Sequence, residues 1–361
     1  MKGCGAVDTR MSDGLADPAD HAAIARDPQW LADRYDPGGD GIWFRPVTRA
    51  DHGRATFLTD EYLPANPPAV AIGREAALRA GPARAPIHHI FHSAFCCSTL
   101  LARAFDVPGV AMGLKEPVIL NDLVGWRRRG GTGAQVARAL DGALALLQRP
   151  FAPGEALVCK PSNIVNGLAD AMLAMRPESR ALLLHAPLPV FLGSIARKGM
   201  WGRLWVRELL EGLLRDGGMA LGMTPQDHLR QTDLQVAAAV WLAQQATFAR
   251  LAAKYGDRIR TLNSATLTAR PAETMAALAR LYALPLDDAA VAGIVAGPAF
   301  TRHSKFGQDF AAGDREAELR AGAEVHAEEI EKVTVWAEAV AAAADVPMTL
   351  PSPLLGQASR P

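Results

Sequence analysis

From Pro86 onward, short apolar runs alternate with longer stretches whose apolar residues recur every three to four positions. The runs IHHIFH (87–92), GVAMGLK (109–115), ALVCK (156–160), RALLLHA (180–186) and RIRTLN (258–263) read as buried strands. Helical periodicity falls at 98–106, 133–148, 165–176, 188–198, 203–215, 231–255 and 271–284, with a long helix near 314–344. Strand, helix, strand in repetition predicts an α/β fold, a three-layer, mostly parallel sheet flanked by helices. Ahead of it the pattern is mixed: a short helix at DPQWLADRY, a strand at GIWFRPV, the stretch ATFLTDEYL and the proline-rich PANPPAV. The expected organisation is a loose N-terminus (1–25), a small lid or side layer (26–86) with a linker near 64–86, the α/β domain (87–345) and a C-terminal tail (346–361).

Composition narrows the partners. The 38 basic residues balance 38 acidic ones, so no whole-molecule field draws the chain to nucleic acid or an anionic membrane. No apolar run reaches bilayer length, and MKGCGAVDTR lacks the apolar core of a secretory signal, so the cytoplasm is the expected compartment. Cys4, Cys96, Cys97 and Cys159 form no CxxC pair; neither a disulfide framework nor a metal is expected. No internal repeat stands out, and oligomeric state is not readable.

In an open parallel sheet, ligands bind beyond the carboxyl ends of the strands. Those ends carry SAFCCST, Lys115-Glu116-Pro117, Lys160-Pro161-Ser162-Asn163 and His185-Ala186-Pro187. Each precedes a helix, whose first N–H groups are unpaired and whose dipole favours an anion. Ser98 and Thr99 suit the cap of the first such helix, Ser162 or Asn163 that of the second. Together with Lys115 and Lys160 they describe a site for a multiply charged oxyanion, a phosphate or sulfate. Cys96 and Cys97 admit two readings, small fillers of the turn or thiolates stabilised at a helix N-terminus. No GxxxxGK[ST] segment occurs, which argues against a P-loop kinase.

At these residues the chain resembles the P-loop-like sulfotransferases, in particular the tyrosylprotein sulfotransferases and their bacterial relatives. Their first loop, P-R-S-G-T-T-L-[LM], corresponds to AFCCSTLL (94–101), with agreement at Ser98, Thr99, Leu100 and Leu101. LKEP places Glu116 at the family's carboxylate base, and CKPSN places Lys160 at the lysine following the third strand. The resemblance covers residues 87–200 and continues loosely to about 310. It implies a P-loop NTPase-like, sulfotransferase-type fold. It also implies sulfuryl transfer from 3'-phosphoadenosine 5'-phosphosulfate to a hydroxyl or amine on a small molecule or peptide. Glu116 would be the base, and Lys160 with Lys115 would meet the leaving group. Cys96, Cys97, Ser98 and Thr99 would hold the 5'-phosphate, with His185 and Gly193, beside Ser194, at the 3'-phosphate positions. Two departures stand out: Phe95 occupies the place of the loop's Arg or Lys, and His185 that of the Arg after the fourth strand. Arg197, Lys198 and the cluster TRHSK (301–305), including Lys305, are candidates to replace the missing charge. The alternatives are a non-catalytic relative that retains the nucleotide or anion pocket, and a thiol site at Cys96 and Cys97.

Overall fold

In the computed structural model, which describes residues 18–218, 221–301 and 326–356, all five apolar runs are strands. Labelled in chain order after three earlier strands, they are β4 (Ile87–His92), β5 (Ala111–Lys115), β6 (Ala156–Lys160), β7 (Ala181–His185) and β8 (Ile259–Asn263). They pair in parallel in the order β5-β6-β4-β7-β8. Every residue of β4 to β7 is buried, as a sheet covered on both faces requires. Side chains alternate between two cores. Phe91, Leu114, Cys159 and Leu183 enter one; Ile90, Val158, Leu182 and Leu184 enter the other. The fold is therefore a three-layer α/β arrangement with an all-parallel central sheet.

The small sheet formed by β1 (Trp30–Asp36), β2 (Gly41–Pro46) and β3 (Val70–Gly73) is antiparallel and packs into the first core through Leu31, Ile42, Phe44 and Ile72. Two expectations fail here. DPQWLADRY is a strand, with a register shift between Ala32 and Arg34 that lets Asp33 turn inward to Arg45 at 2.7 Å. The stretch expected as a linker contains β3 and the helix Arg74–Arg79. Residues 18–25, expected to be loose, belong to the helix Pro18–Arg26, whose C-terminal end is held by the buried Arg149 donating to the carbonyls of Ala25, Asp27 and Trp30. Residues 1–17 lie outside the described residues.

The helix Val118–Arg128 was not expected, whereas Ser98–Ala104, Gly133–Leu147, Leu188–Arg197, Gly199–Arg215, Asp233–Tyr255 and Pro271–Tyr282 follow the periodicity; of the helix expected near 314–344, Ala327–Ala343 is helical and 314–325 lie outside the described residues. The stretch 165–176 divides into a 3-10 turn, Asn163–Leu168, and the helix Ala169–Met175. Near the C-terminus, Ser352 and Leu354 hydrogen-bond to Thr261 of β8 at the sheet edge. No helix among the described residues is long and apolar enough to cross a membrane.

The strand order sets two strand-to-helix turns side by side. After β4 the chain enters Ser98–Ala104, which packs into the second core through Leu101 and Ala104. After the neighbouring β6 it turns to the opposite face, where Val165, Leu168 and Met172 join the first core. Adjacent strands whose continuations leave on opposite faces mark a topological switch point, where open α/β sheets bind ligands.

Candidate functional site

His92, the last residue of β4, ties together the two strand ends at this switch point. Its ring is buried. Nδ1 accepts the Ala94 N–H at 3.1 Å, so Nε2 carries the proton and donates to the Pro161 carbonyl at 3.0 Å. One imidazole thus ties the loop after β4 to the end of β6. Buried amides complete the anchoring: Asn166 Nδ2 donates to the His92 carbonyl at 3.0 Å and to Gln244 Oε1 at 3.2 Å, and the Ala186 N–H donates to Ser93 Oγ at 3.2 Å. Such groups are costly to bury unless bonded.

The loop itself is strained. Ala94, Phe95 and Cys97 have φ of 71, 50 and 67°, the left-handed region that costs a non-glycine residue about 1–2 kcal/mol. Backbone of this kind forms anion-binding concavities. Cys97, not Ser98 or Thr99, is the N-cap, and no side chain caps the first turn. Ser162 likewise occupies the cap position of its 3-10 turn without a side-chain bond, with Asn163 as the turn's first residue.

Beside the loop, Lys160 Nζ donates to Glu116 Oε1, and the Glu116 N–H donates to the Lys160 carbonyl at 2.7 Å. The lysine side chain is 1% exposed and the glutamate 21%, so the pair has a dry end and a wet end. The Lys160 ammonium also lies 5.1 Å from the centre of the Phe57 ring, and Tyr62 packs edge-on against Phe57 at 5.7 Å. His92 Nε2 is 4.0 Å from Glu116 Oε1. Glu116 has φ 56°, so the β5 turn is bent to deliver this carboxylate.

The remaining predicted residues fall in different places. Lys115, although in register with Lys160, donates its ammonium to the His52 carbonyl; burial lowers its pKa to about 8. His185 is buried with Nδ1 3.3 Å from Gln245 Nε2, and burial lowers its pKa to about 4, so it is a neutral imidazole at pH 7. Ser194 Oγ donates to the Val190 carbonyl of its own helix at 2.8 Å. Arg197 is exposed at the end of Leu188–Arg197. Cys96 is buried, which pushes its thiol up to about 12 and removes it as a thiolate near neutrality; Cys97 is half-buried. Lys305, with Arg302 and His303, lies outside the described residues.

Sequence reasoning passed over His92, whose only signal was its place at a strand terminus. Among the described residues no group of three or more His, Cys, Asp or Glu side chains is assembled as a metal site would need.

No family model matches the chain, and no curated protein matches it. Among solved structures it is similar to the sulfotransferase domain from the curacin biosynthetic pathway. The identity is 13%, over 68% of this chain and 99% of that one, with a TM-score of 0.40. A likeness at that level does not bear on activity.

Proposed function

We propose that the chain transfers a sulfuryl group from 3'-phosphoadenosine 5'-phosphosulfate to a hydroxyl or amine of a small molecule or peptide. The observation that carries this reading is the Glu116–Lys160 pair at the switch point, a partly exposed carboxylate bonded to a buried ammonium beside the strained loop. In-line transfer needs a base for the acceptor proton and positive charge on the departing phosphate. Glu116 takes the proton as the acceptor oxygen or nitrogen bonds to sulfur. The sulfur–oxygen bond to the phosphate breaks, and its electron pair leaves on an oxygen met by Lys160. In the ligand-free arrangement the two side chains neutralise each other. Donor binding draws Lys160 to the phosphate and releases Glu116 toward the acceptor. Phe57 and Tyr62 form an aromatic wall next to this carboxylate.

A second reading, a non-catalytic nucleotide-binding relative, is favoured by the neutral, amide-bonded His185 and by the Phe95 ring, both at positions where the resemblance expects cations. Thermal unfolding with adenosine 3',5'-bisphosphate tests the donor site common to both. At a hundredfold excess over Kd, binding stabilises the fold by about 2.7 kcal/mol. An unmoved transition at millimolar nucleotide would reject both readings.

A further inference from the structure

Phe95 leaves the loop after β4 without its own cation, but its ring is not idle. It packs against Phe191 at 5.9 Å and meets Trp205 edge-on at 5.3 Å, while Trp201 stacks on Trp205 with an interplanar angle of 14°. The ammonium of Lys198 sits 5.5 Å from the centre of the Phe95 ring and 5.0 Å from that of Trp201. Among the described residues no carboxylate lies within ion-pair distance of it. Partial burial, and after it the like charge of neighbouring Arg197, lower the Lys198 pKa.

The backbone holds this lysine at a fixed corner. Lys198 ends the helix Leu188–Arg197 and precedes Gly199–Arg215. Gly199 takes φ 56°, and at Gly202 a Cβ would stand 2.5 Å from the Ile195 carbonyl, so the two helices meet in contact that only glycine permits. Lys198 is exposed and Trp201 remains 57% exposed, so the cation and this ring face solvent beside the loop that carries Phe95. A lysine seated on ring faces is attracted by their quadrupoles and keeps its remaining donors for an anion.

We infer that Lys198, seated on Phe95 and Trp201, is an oxyanion-binding cation of the candidate site, acting on the phosphate or sulfate groups of its ligand in place of a cation on the loop. This rests on the proposed function only in the choice of nucleotide as probe. Calorimetry of the full chain with adenosine 3',5'-bisphosphate tests it, with adenosine as the uncharged control. Lys198→Gln should weaken nucleotide binding roughly tenfold or more, the loss of one charge-assisted contact, and leave adenosine unaffected. Lys198→Arg should stay within about threefold of wild type, because Arg retains the charge and stacks on rings. Trp201→Ala, which removes one ring, should weaken the nucleotide as Lys198→Gln does, in the same direction but less. Nucleotide affinity unchanged in Lys198→Gln overturns the inference while leaving the proposed function standing. If the wild type gives no heat with the nucleotide, the proposed function fails. The inference is then judged on inorganic pyrophosphate: binding lost in Lys198→Gln upholds it, whereas equal or absent binding overturns it. The side chain lies at the surface, so an unchanged thermal transition in the variants verifies folding.

Discussion

The Glu116–Lys160 pair predicts an asymmetry in stability. Replacing Glu116 by Ala leaves the Lys160 ammonium, 1% exposed, without its carboxylate. An uncompensated buried charge costs about 3–5 kcal/mol. Replacing Lys160 by Met leaves a carboxylate that is 21% exposed, reachable by water and 4.0 Å from His92 Nε2, while Met preserves the packing on Phe57. That change costs about 1–2 kcal/mol. The double variant Glu116→Ala/Lys160→Met has no stranded charge, and its loss should be smaller than that of Glu116→Ala alone, giving a coupling of a few kcal/mol. Equilibrium urea unfolding reads this directly. With an m-value of about 3 kcal/mol per molar, Glu116→Ala should lower the midpoint by roughly 1–1.7 M, Lys160→Met by about 0.3–0.7 M. If Lys160→Met proves as costly as Glu116→Ala, or the double variant is the sum of the two, then the lysine is not the dry member of the pair and the reasoning fails.

Three further outcomes follow from the same structure. A Cβ at Gly113 of β5 would stand 2.0 Å from the Ala102 carbonyl, so Gly113→Ala should displace the helix after the loop and cost 1–3 kcal/mol or more; an unchanged melting temperature would deny that close approach. Lys115 titrates near 8 when folded against 10.5 in its ordinary state, so the unfolded chain binds more protons between those values and this residue makes stability rise across that window. Lys115→Met should remove that rise, worth on the order of 3 kcal/mol, and wild-type and variant slopes that coincide from pH 8 to 10.5 would contradict it. His52 and His89 are held near 3 and His88 and His185 near 4 by burial, below the ordinary 6.5. Their contribution is complete above pH 6.5 and lost as the pH falls toward 3–4, which a chemical-denaturation series from pH 7 to 4 would show as a steep decline; a flat profile would refute it.

How much of this was legible depended on the kind of signal. β4 to β8 were readable because strands of a covered parallel sheet are dominated by apolar residues, most fully in β5 to β7, and their ends fell within two residues of the observed ones. β1 was misread because its charged residues are spaced as on a helix, whereas the irregularity between Ala32 and Arg34 places the buried Asp33 against Arg45. Val118–Arg128 was missed although Ile119, Leu120, Leu123 and Val124 form a helical stripe, because Pro117 stands at its N-cap where a Ser, Thr, Asp or Asn would have signalled a helix start. At the site, the strand-end rule located Glu116 and Lys160 together. No sequence rule says where a lysine side chain aims, so Lys115 and Lys160, neighbours in register, could not be separated: one is bonded to a backbone carbonyl and the other to Glu116. The loop's shape was hidden for a related reason. Left-handed backbone is expected of glycine or asparagine, and here it is adopted by Ala94, Phe95 and Cys97 under the hold of His92 and Ser93.

The most direct measurement is conversion of 3'-phosphoadenosine 5'-phosphosulfate to adenosine 3',5'-bisphosphate, followed by mass spectrometry with and without a mixed pool of phenols, alcohols, amines and tyrosyl peptides, for wild type and Glu116→Gln. Sulfuryl transfer with Glu116 as base predicts conversion that depends on the pool, a sulfated product 80 mass units (about one SO3) heavier than its acceptor, and a rate at least about 10²-fold lower in Glu116→Gln. Conversion by Glu116→Gln at the wild-type rate, or tight binding of the donor with no sulfated product from any acceptor class, would contradict it.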